Sequence, residues 1–344
     1  MTPHIAAAAA AVTTRTHDGD GSAHHALLRL GRYLDNVGYR HTAVSAASHQ
    51  LVVRRPAAAA ATLNDIFGLS RRFSAEHVDA RVWDAMNEAG IVRRDGAGWR
   101  SKLRVASAAP LPSAATPARP LLFFHSAYPT LDEHAVFFDP DTYRFMGALR
   151  RALRPALALN AHNVRRAIDV GCGAAAGAVL IARQWPQAEV LAVDLNEAAV
   201  TLAAVNAALA GAHRVGVVHG DALAAVDGHF DLIVAHPPYL LDPLGRLLRH
   251  GGGVHGEQRA FDIVQQGCSR LAAGGRLLLY AGVAITGGCD PLLARLAPLL
   301  AGSRFEWHYE EIEPDVHGDE LGEPLYAAAD RIAAIWLEVR RPLS

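Results

Sequence analysis

The sequence predicts an α/β protein in which a largely parallel sheet follows a smaller helical domain. From about residue 165 onwards, short apolar runs rich in β-branched residues alternate with helical stretches, and this alternation is typical of a parallel sheet. Before that point, apolar residues recur at helical spacing and are followed by one hairpin pattern around Asp95-Gly96. These two observations predict a sheet domain that carries a helical domain at its amino end.

The first third of the chain predicts a short tail and three helices. Residues 1–20 are expected to be a disordered tail. Helices are predicted at Ala23 to Val37, Ala59 to Leu69 and Ser74 to Ala89, and hairpin strands at Ile91 to Arg94 and Trp99 to Val105. Helices followed by a hairpin favour a winged-helix-like domain over residues 21–106. An Ala-, Pro- and Ser-rich linker over 107–120 and the main domain over 121–344 would follow.

Composition limits the classes of function. The chain has 344 residues and a net charge of −1, so it has no global positive field to attract nucleic acid. No apolar stretch is long enough to predict a membrane span, and no histidine pair has metal-ligand spacing. The three cysteines are dispersed, which favours a cytoplasmic location, and the preference for Arg over Lys with abundant Ala suggests a bacterial source. A basic cluster between residues 93 and 104 is either a solvated hairpin face or a local patch for RNA.

A glycine turn follows the first predicted strand of the sheet. The strand from Arg165 to Val170 runs into Gly171-Cys172-Gly173, and a helix is predicted from Ala174 to Trp185. Glycines let the backbone approach a ligand closely, and the start of a helix offers free N–H groups. By itself this segment fits a loose dinucleotide fingerprint, or merely tight packing.

The next three predicted strands also end in residues suited to ligand binding. Glu189 to Val193 ends at Asp194, about 20 residues after the glycine turn, where an acid can accept hydrogen bonds from ribose hydroxyls. Val215 to His219 ends at Gly220-Asp221, and Phe230 to Ala235 ends at His236-Pro237-Pro238-Tyr239. The carboxyl ends of parallel strands lie at one edge of the sheet, so the sequence predicts a single ligand site there.

The remaining elements complete the predicted sheet. A helix is predicted from Glu257 to Leu271 with a break at Gly274-Gly275, then a strand from Arg276 to Gly282 and a helix from Pro291 to Leu300. Phe305 to Ile312 and Arg331 to Val339 are predicted to form the final antiparallel pair, joined through an acidic loop over residues 313–323.

These strand ends together resemble class I S-adenosylmethionine (SAM)-dependent methyltransferases over Phe123 to Val339. The resemblance is greatest to the small-domain branch, which includes release-factor glutamine and rRNA guanine-N2 methyltransferases. Its Asn-Pro-Pro-Tyr signature is similar to His236–Tyr239, and the segment from Phe137 to Thr142 is similar to one that lies over the cofactor in that branch. The resemblance implies a Rossmann-like sheet of order 3-2-1-4-5-7-6 with SAM as its cofactor.

The resemblance also implies a role for each matching residue. Those matched to cofactor binding are Asp169, Gly171 and Gly173 at the methionine end of SAM, Asp194 on the ribose, Leu195 beside the adenine, Asp221 on the adenine amino group, Ala222 against the ring, and Thr142 in the covering segment. Two positions depart from the family pattern, since Ala175 replaces the third glycine of the turn and His236 replaces the Asn.

Three residues of the His-Pro-Pro-Tyr loop (residues 236–239) are the candidate catalytic residues. In the family, Asn and a proline carbonyl accept hydrogen bonds from the target nitrogen, which matches His236 and Pro237 here. His236 is expected to contact the acceptor through a neutral ring nitrogen or to act as a base; the alternative is a packing role. Tyr239 is expected to stack on a planar acceptor, with ordinary packing as its alternative.

The predicted function is SAM-dependent N-methylation of a small molecule or peptide held at this loop. The alternative is N-methylation of rRNA or a translation factor, and a third interpretation is a dinucleotide-binding protein that does not methylate. Nucleic acid is possible as a partner but not favoured, because the net charge is near zero. The amino-terminal domain is expected to fold separately and to restrict access to the loop.

Overall fold

The computed structural model describes residues 20–55, 62–110, 119–128, 130, 132–154, 164–246 and 249–343. The predicted tail over residues 1–20 lies outside this part of the chain except for Asp20, where the first helix begins. Most of the predicted linker also lies outside it. Within the described ranges, none of the helices is long and apolar enough to cross a membrane.

The helices and strands alternate as a parallel sheet requires from Arg166 onwards. The helices are α1 (Asp20–Asn36), α2 (Ala46–Val53), α3 (Leu63–Phe67), α4 (Ala80–Glu88), α5 (Pro140–Ala152), α6 (Ala176–Gln184), α7 (Glu197–Leu209), α8 (Gln258–Arg270) and α9 (Pro291–Ala301). The strands are β1 (Val92–Asp95), β2 (Gly98–Ser101), β3 (Leu103–Ala108), β4 (Leu121–Ser126), β5 (Arg166–Val170), β6 (Glu189–Asp194), β7 (Val215–His219), β8 (Phe230–Ala235), β9 (Leu271–Ile285), β10 (Glu306–Glu313) and β11 (Arg331–Arg340).

A seven-stranded sheet forms the centre of the molecule, in the order β10-β11-β9-β8-β5-β6-β7. Strands β5 to β9 run parallel, whereas β11 is antiparallel to both of its neighbours. Numbered along the chain within this sheet, the order is 3-2-1-4-5-7-6, the same as that implied by the resemblance. Strand β5 is central and flanked by β6 and β8, so the ends of these three strands lie side by side.

Strand β9 corrects one prediction. Gly274-Gly275 does not break a helix, because α8 already ends at Arg270 and both glycines lie inside β9. Gly274 has a φ of +76°, and its N–H donates to the carbonyl of Arg341 at 2.9 Å. The glycine pair therefore lets the start of β9 bend while it pairs with the end of the chain.

The amino-terminal elements share a hydrophobic core with the sheet domain. Leu30 and Leu34 of α1 belong to the same buried cluster as Phe124 of β4 and Val205 of α7. Helices α1 and α7 approach so closely that a Cβ at Gly31 would lie 2.6 Å from a methyl group of Leu209. Because of this shared core, the amino-terminal elements pack as part of one body, although the domain boundaries themselves stay a prediction.

Strands β3 and β4 pair with each other across the segment predicted to be a linker. Strand β2 ends at Ser101, and β3 leaves the hairpin to pair with β4, from Leu103 opposite Ser126 to Ala108 opposite Leu121. The predicted hairpin strand through Val105 is therefore two strands, and the predicted linker begins inside β3. The winged-helix-like assignment of this region stays a prediction.

A buried asparagine joins the two regions. The side chain of Asn206 on α7 accepts a hydrogen bond from the Phe124 N–H at 2.8 Å and donates to the Phe124 carbonyl at 3.0 Å. It also donates to the Ala174 carbonyl in the glycine turn at 3.1 Å. Since Asn206 is fully buried, these bonds satisfy polar groups of β4 that would otherwise be costly to bury, and they hold β4 against the glycine turn.

Candidate functional site

A cavity of about 920 Å³ opens at the carboxyl ends of β5, β6 and β8. Its size is in the range of sites that enclose a small ligand. All eleven predicted site residues line it: Thr142, Asp169, Gly171, Gly173, Asp194, Leu195, Asp221, Ala222, His236, Pro237 and Tyr239. We call the part around residues 169–173, 194, 195, 221 and 222 the glycine-turn end, and the part around 139–145, 236–239 and 317–320 the Pro-Pro-Tyr end.

The glycine turn presents bare backbone to the cavity. Gly171 and Gly173 have φ angles of +68° and +50°, which side-chain-bearing residues rarely adopt. A Cβ built on either glycine would meet no protein atom within 4 Å, so a side chain there would project into open space. Since both glycines line the cavity, the turn forms a cradle that a ligand can approach at backbone distance.

Asp194 is held in the cavity wall by backbone groups. One carboxylate oxygen accepts the Gly173 N–H at 2.8 Å, and the other accepts the Asn196 N–H at 2.9 Å. Burial raises the pKa of this carboxyl, while these backbone hydrogen bonds favour the charged form. Each oxygen retains a lone pair, so the group can accept two further bonds from a vicinal diol such as a ribose.

Asp169 has a structural contact that the sequence analysis did not foresee. Its buried carboxylate accepts the N–H of Ala178, in the first turn of α6, at 2.7 Å. A Cβ at Gly177 would lie 2.8 Å from this carboxylate, so Gly177 is needed for the close approach. Burial, aided by the nearby charge of Asp194, raises the pKa of Asp169 to about 7.

Asp221 and Ala222 lie at the rim of the glycine-turn end. The Asp221 side chain is 63% exposed and pairs with Arg259 at 3.4 Å. Ala222 adopts a left-handed φ of +47°. Both line the cavity, so the adenine contacts expected of them stay a prediction that this placement allows.

Thr142 belongs to a capping box at the start of α5. Asp139 accepts the Thr142 N–H at 3.2 Å, and the Thr142 hydroxyl accepts the Asp139 N–H at 3.4 Å. The hydroxyl is thus engaged in shaping the helix start. A direct bond from Thr142 to a cofactor stays a prediction.

His236 follows β8 directly and is partly buried in the cavity wall. Its ring meets the Tyr280 ring edge-on at 4.8 Å and lies 5.3 Å from the Phe145 ring. Within the described residues, neither ring nitrogen is engaged in a hydrogen bond. Burial lowers the pKa of His236, and the charges of Asp141 and Asp139 only partly oppose this effect. The ring is therefore neutral near pH 7 and has a nitrogen available as an acceptor or base.

Tyr239 is buried at 7% exposure and packs closely on β9. A Cβ at Gly282 would lie 2.1 Å from its ring, so that glycine makes room for the tyrosine. The Tyr239 ring lies 6.2 Å from that of His236 and 5.9 Å from that of His317. Tyr239 is therefore held largely by packing against other residues of the protein. Its stacking on an acceptor stays a prediction.

An ion pair at the Pro-Pro-Tyr end was missed from the sequence. Asp141, buried at 2% exposure, accepts hydrogen bonds from His317 Nε2 at 3.1 Å and from Arg144 at 2.7 Å. Burial opposes the charge on His317, but the hydrogen bond to Asp141 and the charges of Asp141 and Asp139 outweigh it and raise the pKa of His317. The two partners are 176 positions apart, so no local pattern predicts the pair.

The amino-terminal region covers the Pro-Pro-Tyr end. Residues 42–46 and Ser48 line the cavity together with Tyr128. The Tyr143 hydroxyl accepts the Ala43 N–H at 3.0 Å and donates to the Ser107 carbonyl at 3.1 Å, which ties this cover to α5 and β3. Residues of the amino-terminal region and His236 thus line the same cavity, and the restriction of access to the loop by this region stays a prediction.

Residues 151–286 match the family model of the methyltransferase small domain. The chain is 35% identical over 209 residues to a release factor glutamine methyltransferase of Deinococcus radiodurans, a match that covers 56% of this chain and 66% of that protein. It is 30% identical over 111 residues to a ribosomal protein uL3 glutamine methyltransferase of Neisseria meningitidis, over 32% of this chain and 35% of that protein. The chain therefore spans less than two thirds of the length of these relatives.

Among solved structures, the chain is similar to a ribosomal protein L11 methylase from Lactobacillus delbrueckii, with 20% identity and a TM-score of 0.39 over 58% of this chain and 80% of that chain. The family and sequence matches confirm the resemblance to class I SAM-dependent methyltransferases of the small-domain branch, and with it SAM as the cofactor.

Proposed function

From the methyltransferase small domain that residues 151–286 carry, we infer that this chain transfers a methyl group from SAM to the side-chain amide nitrogen of a glutamine in a protein or peptide. The relatives named above act on glutamine in a release factor and in ribosomal protein uL3. They favour the translation-factor alternative of the sequence analysis over a small-molecule acceptor. Such an acceptor also agrees with the cytoplasmic location predicted from the dispersed cysteines.

The glycine-turn end is suited to hold the cofactor. Gly171 and Gly173 leave open space above the backbone, and Asp194 presents two oriented oxygens to a ribose diol. Asp169 provides a buried carboxyl near the methionine end, where the positive charge of the bound cofactor would favour its ionised form. When bound, SAM supplies a sulfonium methyl group whose leaving group is already activated.

The Pro-Pro-Tyr end is suited to position an amide nitrogen. A neutral ring nitrogen of His236 can accept one N–H of the amide. The Pro237 carbonyl, which has no hydrogen-bond donor within the described residues, can accept the other. These two bonds orient the nitrogen toward the methyl group. In the transfer a carbon–nitrogen bond forms, the methyl–sulfur bond breaks, and one N–H proton leaves the nitrogen for His236 and then solvent.

One observation carries the proposal. His236, whose ring nitrogens have no hydrogen-bond partner within the described residues, lines the same cavity as the glycine turn and Asp194, at the strand end where the family holds its target nitrogen. A histidine with a lowered pKa keeps the acceptor function of the family's asparagine at neutral pH. It also adds the capacity to take up a proton, which an amide lacks.

The test is to incubate the full-length protein with SAM carrying a deuterated methyl group and with three separate acceptors: a ribosome and translation-factor fraction, total RNA, and a small-molecule extract. Mass spectrometry then locates the label. We expect labelled glutamine in a protein of the first fraction, and label that accumulates about a hundredfold more slowly with the His236→Ala variant. Label confined to RNA or to small molecules would overturn the acceptor class, and absence of SAM binding by calorimetry would overturn the methyltransferase assignment.

A further inference from the structure

His317 lies beside the His-Pro-Pro-Tyr loop, with its ring next to that of Tyr239. Its segment follows β10, and the residue adopts a left-handed φ of +53°, which is rare for a residue with a side chain. In this conformation the ring points to the cavity, where it lies 5.9 Å from the Tyr239 ring. Strained backbone that delivers a side chain into a ligand cavity is typical of functional positions.

Asp141 determines which nitrogen of His317 remains available. Nε2 donates to the Asp141 carboxylate at 3.1 Å, and Nδ1 has no partner within the described part of the chain. Arg144 on α5 holds the other oxygen of Asp141 at 2.7 Å, so the carboxylate cannot rotate freely. Asp141 is thus a positioning residue that fixes the orientation of the His317 ring and leaves Nδ1 unengaged within the described residues. Because Nε2 holds the proton of the neutral ring, Nδ1 is an N–H donor in the imidazolium form.

The surroundings shift the pKa values of the two histidines of the Pro-Pro-Tyr end in opposite directions. Burial against Tyr280 and Phe145 keeps His236 neutral, whereas Asp141, Asp139 and Asp319 favour the charged form of His317. When the pKa values of neighbouring groups in an enzyme site are shifted in opposite directions, one group is suited to accept a proton or hydrogen bond and the other to donate one. Near Tyr239 the cavity wall therefore presents one ring, His236, whose surroundings favour the neutral acceptor form, and another, His317, whose surroundings favour the charged donor form.

We propose that His317 donates a hydrogen bond from Nδ1 to the carbonyl oxygen of the acceptor amide and thereby selects a carboxamide over an amine. This proposal rests on the function proposed above, since it requires the amide N–H groups to face His236 and Pro237. A carboxamide is a planar group with an acceptor oxygen and donor N–H groups on opposite sides, which matches the donor and acceptors of the wall. Removal of the N–H proton by His236 places negative charge on that oxygen, where the His317 imidazolium stabilises it.

The test uses two isosteric probes, acetyl-glutamine methylamide and acetyl-ornithine methylamide. They differ in that the glutamine carbonyl becomes a methylene in ornithine, which also turns the neutral amide into an amine that is protonated near neutral pH. Binding is measured by NMR titration of the full-length protein with S-adenosylhomocysteine present, and methylation with labelled SAM. Wild type should favour the glutamine probe. His317→Ala should lower its kcat/KM by about tenfold to a hundredfold, the scale of a hydrogen bond to a charged group, while SAM affinity stays unchanged.

The pH profile separates a contact with the acceptor from a merely structural role. The rate should fall at low pH as His236 gains a proton, and at high pH as His317 loses one. His317→Gln, which keeps a neutral N–H donor, should retain the acid limb and lose the alkaline limb. His308→Gln is the matched control, because His308 lies on β10, pairs with Glu310 at 3.7 Å and does not line the cavity.

Each result bears on one of the two proposals. If His317→Ala keeps the wild-type preference for glutamine and the wild-type alkaline limb, the role of His317 is wrong while the methyltransferase proposal stands. If wild type binds the two probes equally or prefers ornithine, carboxamide selection is wrong. If wild type binds SAM but labels neither glutamine probe nor protein glutamine, the proposed acceptor fails and the role of His317 fails with it.

Discussion

The two ends of the cavity are built in different ways. At the glycine-turn end, backbone groups close by in sequence or on the neighbouring strand hold the functional side chains, as Gly173 and Asn196 hold Asp194. At the Pro-Pro-Tyr end, side chains hold one another across long stretches of sequence, as Asp141 holds His317 and Tyr280 packs on His236. A backbone N–H group has no charge that varies with pH. In a pair of ionisable side chains, by contrast, the charge of each group depends on pH and on the charge of the other.

This difference in how the side chains are held indicates which functions each end of the cavity can support. Carboxylates held by backbone N–H groups stay in place over a wide range of conditions, which suits the recognition of an invariant cofactor. The histidines and aspartates of the Pro-Pro-Tyr end can take up and release protons, which suits the proton transfer of the proposed reaction. At this end the chain has His236 where the family motif that it resembles has Asn.

The largest effect that we expect concerns folding and arises at Asp169, which lies at the glycine-turn end and whose pKa is raised by burial to about 7. Its pKa of about 7 in the folded protein lies above the unfolded value of about 3.9. The stability it contributes is full below about pH 4 and is lost as pH rises through 7, by about 4 kcal/mol in total. Urea unfolding of the cofactor-free protein should show this loss, and Asp169→Asn should remove it.

Asp227→Asn is the control for that measurement, because Asp227 is exposed and lies outside the cavity. If Asp169→Asn and Asp227→Asn show the same dependence of unfolding free energy on pH as the wild type, then Asp169 is already ionised in the folded protein.

The second prediction concerns His236 at the Pro-Pro-Tyr end of the cavity. His236→Ala should lower the methylation rate by about a hundredfold or more, the scale of general-base loss, and leave SAM affinity nearly intact. In the wild type the rate should fall as pH drops through the lowered pKa of His236. His236→Asn restores the family motif and should recover part of the rate without that acid limb. If both variants methylate at the wild-type rate with the wild-type pH profile, His236 is structural.

The third prediction tests whether cofactor binding is confined to the glycine-turn end. Asp194→Ala removes two potential bonds to a ribose and leaves the N–H groups of Gly173 and Asn196 unpaired. SAM binding should weaken by about tenfold or more, measured by calorimetry. Asp221→Ala, at the exposed rim, should have a smaller effect. An equal loss for the two variants would contradict the placement of Asp194 on the ribose.

The smallest effect is expected at Ala175, where the chain departs from the family's third glycine. Ala175 is fully buried and has a left-handed φ of +62°. Ala175→Gly relieves strain of about 1 kcal/mol but removes a buried methyl group worth about 0.8 kcal/mol. Thermal unfolding and SAM affinity should therefore change little. A large gain in either would mean that the alanine costs this protein stability or cofactor binding.

Much of the glycine-turn end could be predicted from the sequence. The predicted strands over 215–219 and 230–235 coincide with β7 and β8, and β6 extends its prediction by one residue to Asp194. Short apolar runs that stop at glycine, acid or proline identify strand ends without knowledge of the fold. Parallel pairing then gathers those ends at one edge, so the eleven candidate residues line one cavity.

Other elements could not be predicted because their patterns are weak or their partners remote. Helix α2 has little amphipathic spacing, so no helix was predicted over 46–53. The pairing of β3 with β4 was not predicted, because the segment between them has the Ala-, Pro- and Ser-rich composition that is typical of a linker. Asn206 has an ordinary position inside a helix, and only the packing of α7 under β4 shows that its amide joins two regions.

By itself, the sequence determined the sheet, the glycine turn, the order of the strand ends and the chemistry they resemble, since all of these depend on short-range patterns. Only the tertiary fold brings Asp141 to His317, packs Tyr239 on Gly282, and places residues 42–46 and Ser48 in the wall of the cavity. The reason is that the position at which a strand ends depends on only a few residues that are close by in the sequence. A contact between side chains 176 positions apart depends on how every intervening element packs.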